Sequence, residues 1–202
     1  MRLKPPKFIR WLMPDLIWEM KDRSAVYLTF DDGPTPGITE WILSTLDKYD
    51  AKATFFVLGK NVEMYPDLYK RILDAGHKVG NHTYSHQKGW GMSLERYIED
   101  VDFANDLLHT ELFRPPYARI TPAQARALAK RYKLVMWDVL SRDYNRALSP
   151  RTCLRNVTRY LEGGSIVVFH DSEKSFRNMS YALPRTLQAV RDMGLKCKAI
   201  DL

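Results

Sequence analysis

A chain of 202 residues, 45% hydrophobic and 12% aromatic, can bury one full core and is too apolar to be disordered. Its net charge of +7 favours anionic surroundings. No zinc-finger spacing, RNA-binding signature or basic helix accompanies that excess and no stretch is long enough to span a bilayer, so neither nucleic acid nor a membrane-spanning role is expected.

At the N-terminus, Arg2, Lys4, Lys7 and Arg10 lead into Trp11-Leu12-Met13, but Pro14, Asp15 and Glu19 interrupt the apolar core that a cleavable secretory signal needs. Residues 1–24 are therefore expected to be a helical extension packed on the domain, with a basic amphipathic segment on a membrane surface as the other reading. The expected location is the cytoplasm or the inner membrane face.

From residue 25 strands alternate with helices. Ala25 to Phe30 is a β-rich run ended by Asp31-Asp32-Gly33-Pro34, and Ile38, Trp41, Ile42, Thr45, Leu46 and Tyr49 repeat at helical spacing. Ala53 to Leu58 reads as a strand, Val62 to Ala75 as a helix interrupted near Pro66, and His77 to Gly80 as a short strand. Leu94 to Leu108 is a long amphipathic helix and Leu112-Phe113 a brief extended piece. Thr121-Pro122 and Ser149-Pro150 each pair a hydroxyl cap with a first-turn proline. Leu134 to Val139, Ser165 to Phe169 and Lys196 to Ile200 read as the remaining strands, with a last helix through Leu183, Leu187 and Val190. Seven strands separated by helices predict a parallel sheet curled into a small, distorted (β/α) barrel of one α/β domain, 25–202. A doubly wound sheet is the alternative, but no glycine-rich dinucleotide fingerprint follows any strand. Cys153 and Cys197 lack metal or redox spacing and are expected to be buried thiols.

In a parallel barrel the carboxyl ends of the strands form one rim, where chemistry collects. Asp31-Asp32, the run Asn81 to His86, Arg114-Pro115-Pro116-Tyr117, Asp138 with Asp143, and His170-Asp171 all fall at such ends. His82 and His86, four apart, would face one side of a helical turn and could share a metal ion with a carboxylate. Read alone, the pair is as well explained by two exposed histidines in a polar loop. Arg114 to Tyr117 is either a rigid turn or a fixed backbone amide for an oxyanion. His170 is either a packed strand-end histidine or a reacting group. His77 and His109 read as structural, and Trp90 and Trp137 as either groove walls or packing residues.

These clusters, in this order, resemble the motifs of the polysaccharide deacetylase family, the NodB-homology domain of carbohydrate esterase family 4. The resemblance rests on Thr29 to Pro34, His82 to His86, Arg114 to Tyr117, Trp137 to Tyr144 and Val167 to His170. It implies hydrolysis of carbon–nitrogen bonds other than peptide bonds: removal of N-acetyl groups from N-acetylglucosamine-type residues of a polysaccharide or glycoconjugate, with one divalent ion, usually zinc. By motif position it implies Asp32, His82 and His86 as metal ligands, Asp31 as general base and His170 as general acid. Tyr117 would give the oxyanion amide, Arg114 would pair with Asp31, and Asp143 would orient His170. Ala118 stands where the family usually has glycine, Leu140 where many relatives have an acid, and Tyr144 where they have tryptophan. An O-acetyl esterase and a non-catalytic sugar-binding relative are the alternatives. The expected partner is a carbohydrate, including an anionic or membrane-linked glycan.

Overall fold

The structure, a computed structural model, describes residues 16–202. The basic start of the N-terminal extension lies outside the described residues. The part inside them is not helical. Leu16–Ile17 forms strand β1, which pairs with β6 (Lys133–Val135), while Leu16 and Met20 are buried against the domain.

The remaining elements alternate. Strand β2 (Ala25–Asp31) leads to helix α1 (Ile38–Asp47), and β3 (Thr54–Val57) to α2 (Gly59–Met64) and α3 (Pro66–Asp74). The break between α2 and α3 falls at Tyr65, beside the proline that signalled it. Then come β4 (Lys78–Asn81), α4 (Leu94–Leu108), β5 (Leu112–Phe113) and α5 (Pro122–Leu128). After β6 follow β7 (Val139–Leu140), α6 (Pro150–Thr158), β8 (Ile166–His170), α7 (Glu173–Asp192) and β9 (Lys196–Cys197). Thr121 and Ser149 accept the backbone N–H of Gln124 and Thr152, so both hydroxyl caps form as their sequence predicts.

All the ladders between these strands are parallel, in the order β1-β6-β5-β4-β3-β2-β8-β7, with β9 paired to β2. The sheet curls into an incompletely closed barrel. Two strands more than expected appear among the described residues, for separate reasons. One is β1. The other arises because the apolar run Leu134 to Val139 is not one strand: it breaks at Met136-Trp137-Asp138, and β6 and β7 lie in distant places along the sheet order.

Strand alternation divides the core. Along β2, Val26, Leu28 and Phe30 belong to the cluster packed against the helices, where the Phe30 ring stacks on Phe55 of β3 and Phe169 of β8. Tyr27 belongs to the second cluster, inside the curl, with Phe56, Val168 and Trp137. By the same period of two, Thr29 and Asp31 face inward, and on β8 His170 follows Ile166 and Val168. The β2–β8 register sets Asp31 opposite His170. Buried on both faces, β2 reads as a continuous apolar run rather than an alternating one.

Candidate metal and catalytic site

A pocket of about 400 Å³ opens at the carboxyl ends of the strands, lined among others by Asp31, Asp32, His82, His86, Tyr117 and His170. Asp31 ends β2, and its Oδ1 accepts a hydrogen bond from Arg114 Nη1 at 2.7 Å. The Arg114 guanidinium, fully buried, also donates to Thr29 Oγ1 and to the carbonyls of Val135 and Met136, and lies 4.0 Å from the centroid of the Phe56 ring. A buried cation whose three nitrogens are all engaged is held in one place, and so is the carboxylate it faces.

Asp32 leaves the strand with φ 82 and turns towards the two imidazoles. Its Oδ1 lies 3.1 Å from His86 Nε2 and 3.7 Å from His82 Nε2, and one ligand atom from each of the three residues lies within 4.8 Å of the others. His82 Nδ1 meets the Arg114 carbonyl at 2.7 Å; a carbonyl only accepts, so Nδ1 carries the proton and Nε2 offers its lone pair. Burial pushes His82 down to about 4, which keeps it neutral and ligand-competent at neutral pH. Burial alone would raise Asp32; the His86 hydrogen bond and the positive charge of His170 instead hold it well below the usual carboxylate range. Two imidazoles and one carboxylate within ligand distance fit a divalent cation with an open position.

The histidines do not reach this arrangement on a helical turn, as their spacing suggested. Residues 82–86 form an irregular loop in which Thr83 and His86 are left-handed, with φ 68 and 63. The loop is tied to α4: Asp100 Oδ1 accepts from Ser85 Oγ at 2.6 Å and the Asp100 carbonyl accepts from Tyr84 N–H. Asn81 Oδ1 accepts from Thr83 N–H. Tyr117 also contributes a side chain, its hydroxyl 3.2 Å from His86 Nδ1. The 3₁₀ turn Pro116–Ala118 holds Tyr117 and Ala118 at φ 60 and 55, so Ala118 takes the left-handed shape without a glycine.

His170 Nδ1 lies 2.8 Å from Asp143 Oδ1, and the other Asp143 oxygen accepts from the His170 backbone N–H. Burial opposes the imidazolium, but the charge and hydrogen bond of Asp143 prevail and raise His170 to about 9. Asn178 of α7 donates to the Asp143 carbonyl, a support that no local pattern announced. Beneath the loop after β2, the Asp171 carboxyl accepts from Thr39 Oγ1 at 2.6 Å and is pushed up to about 7 by burial. Any side chain at position 33 would strike that carboxyl, hence glycine there.

Asp138, expected at the rim, is not there. It is buried at the start of β8, accepting from Ile166 N–H at 2.7 Å and Ser165 Oγ at 3.1 Å. Trp137 lines the pocket, whereas Trp90 is 54% exposed and outside the lining. His77 is structural as expected, accepting from Ala53 N–H, and His109 caps α4 in the left-handed region. Both cysteines are free; Cys153 is buried and Cys197 only half-buried.

Residues 19–137 match the polysaccharide deacetylase family model. A Bacillus cereus peptidoglycan-N-acetylglucosamine deacetylase is 35% identical over 158 residues, which is 75% of this chain and 57% of that protein. The chain thus spans just over half the length of that relative. The crystal structure of the Bc1960 peptidoglycan N-acetylglucosamine deacetylase superposes with a TM-score of 0.88 at 28% identity, covering 97% of this chain and 95% of the other. The Bacillus anthracis protein BA3943, described as a pseudoenzyme of the same esterase family, superposes with a TM-score of 0.82 at 26% identity, covering 92% and 67%.

Proposed function

The chain belongs to the polysaccharide deacetylase family, and from that premise we propose that it hydrolyses N-acetyl groups of N-acetylglucosamine-type residues in a polysaccharide or glycoconjugate, releasing acetate. One observation carries the reading. In a single pocket, a three-residue metal-competent cluster is flanked by a carboxylate locked on a buried arginine and by a histidine locked on a buried aspartate.

Asp32, His82 and His86 would hold the divalent cation, with zinc the best match to two imidazoles and a carboxylate. When bound, such an ion lowers the pKa of a neighbouring water and draws charge from a carbonyl oxygen. Asp31, one oxygen engaged by Arg114, takes the proton of the attacking water on its other oxygen. The Tyr117 backbone N–H serves the oxygen on which negative charge develops; the neighbouring Ala118 and Arg119 amides are engaged by the Pro115 and Pro116 carbonyls. His170, its Nδ1 occupied by Asp143, delivers a proton from Nε2 to the departing nitrogen. That proton decides the amide reaction, because an unprotonated amine anion leaves too poorly. The C–N bond breaks, and acetate and a free amine result.

The test is acetate release from N-acetylglucosamine oligomers and peptidoglycan fragments, with and without a chelator. Chelator-sensitive release from amide substrates is the expected result. Release only from O-acetylated substrates would make the protein an esterase, and no release with metal bound would place it among the non-catalytic relatives.

A further inference from the structure

The pocket mouth carries two cations that the hydrolysis does not use, Arg119 and Lys174. Arg119 follows the Pro116–Ala118 turn, on the Tyr117 and His86 side, with its guanidinium carbon 5.5 Å from the centroid of the Trp90 ring. Lys174 lies in the first turn of α7, on the His170 side. Its ammonium is 5.8 Å from the centroid of the Tyr144 ring, which in turn stands edge-on to His170 at 5.0 Å. Both are exposed, and neither forms an ion pair with a carboxylate among the described residues.

The carboxylates of the pocket are matched elsewhere: Asp31 by Arg114, and Asp32 by His82 and His86. A substrate covering the mouth strips water from Arg119 and Lys174. For a neutral sugar that desolvation is offset only by hydrogen bonds to uncharged hydroxyl and carbonyl oxygens; for an anion it is offset by stronger bonds in which both partners are charged. The aromatic rings under both cations limit their wandering and orient them for such a contact.

We propose that Arg119 and Lys174 select an acidic sugar, one bearing a carboxylate or phosphate on or beside the N-acetylated ring. The inference rests on the proposed reading of the pocket as an N-acetyl sugar site, and deepens it from a reaction to a substrate class. The chain's net charge of +7 adds long-range attraction of the same sign.

The test compares three probes with the full chain: neutral chitotetraose, a disaccharide of N-acetylglucosamine and N-acetylmuramic acid, and N-acetylglucosamine 1-phosphate. Affinity is read by NMR titration of metal-free protein, and kcat/KM by acetate release with metal. At least one acidic probe should exceed the neutral one by about tenfold in both, with the margin shrinking as salt rises. The second and third probes separate carboxylate from phosphate recognition. In Arg119→Gln/Lys174→Gln the acidic-to-neutral ratio should fall about tenfold, and Arg119→Lys/Lys174→Arg should restore much of it. A ratio near one in the native chain, or one unmoved by the double glutamine variant, overturns the inference even if acetate is released. Preferential acidic binding without acetate release from any probe upholds it and overturns the deacetylase reading. No binding of any probe, together with no acetate release from any of them, overturns both.

Discussion

Arg114 and Asp31 form an ion pair at 2.7 Å inside the curl of the sheet, with Arg114 wholly buried. Removing one partner of such a pair leaves an uncompensated charge away from water. Arg114→Met should therefore cost about 3–5 kcal/mol, read as a shift in denaturant midpoint, and abolish activity because Asp31 loses its anchor. Asp31→Asn should retain metal, measured by calorimetry, while turnover falls by about 10²–10⁴-fold, the usual range for a lost general base. Full activity of that variant at saturating metal would remove Asp31 from the mechanism. His170 gives the pH dependence. Its folded pKa of about 9 lies above the ordinary 6.5, so its contribution to stability is complete below pH 6.5 and lost as pH rises through about 9. The form that donates a proton disappears over the same interval, so activity should fall on the alkaline side near pH 9. Asp143→Asn removes the charge that raises His170, and the alkaline limb of the pH–rate profile should move down by pH units rather than tenths.

The elements explain why some of this was legible in the sequence and some was not. Asp31 and His170 could be placed because each ends an apolar strand run, and period two settles which face they share. Arg114 was legible only as part of a motif, since nothing local says that a rim arginine turns inward to four acceptors. The His82–His86 spacing pointed to the right partners through the wrong geometry: two left-handed residues and the Asp100 tether bring the rings together, and such backbone signs lie outside hydrophobic periodicity. Asp138 failed because an apolar run does not show where a strand breaks; once Met136 to Asp138 becomes a connection, the aspartate serves the amino end of β8 instead of the rim. The tether has a measurable role. Asp100→Ala leaves the three ligands intact but unties the loop that carries two of them. Metal affinity should drop about 10–100-fold by competition with a chromogenic chelator, the usual cost of losing a supporting contact behind a metal ligand.

At the scale of the whole molecule, the site joins parts of the sheet that are distant in sequence. Asp32 comes from the end of β2, His82 and His86 follow β4, and the carbonyl that fixes His82 belongs to Arg114 after β5. The three ligands are positioned by their own hydrogen bonds and by the Asp32 carboxylate facing two imidazoles. A cation that binds only this folded arrangement must stabilise the whole domain by mass action. At a free concentration of about 100 times Kd the gain is about 2.7 kcal/mol, which for a chain of this size means a rise in Tm of about 5–10 °C. A chelator should reverse the rise, and Asp32→Ala or His86→Ala should abolish it. Trp90→Ala, away from the pocket lining, should leave the metal-induced rise intact even if the baseline Tm changes. Differential scanning fluorimetry with zinc, cobalt and magnesium makes the measurement independent of any substrate. The order zinc above cobalt above magnesium is expected from the imidazole-rich donor set. A Tm indifferent to all three ions would mean that the cluster is only a hydrogen-bonded network, and the hydrolytic reading would then lose its source of an activated water.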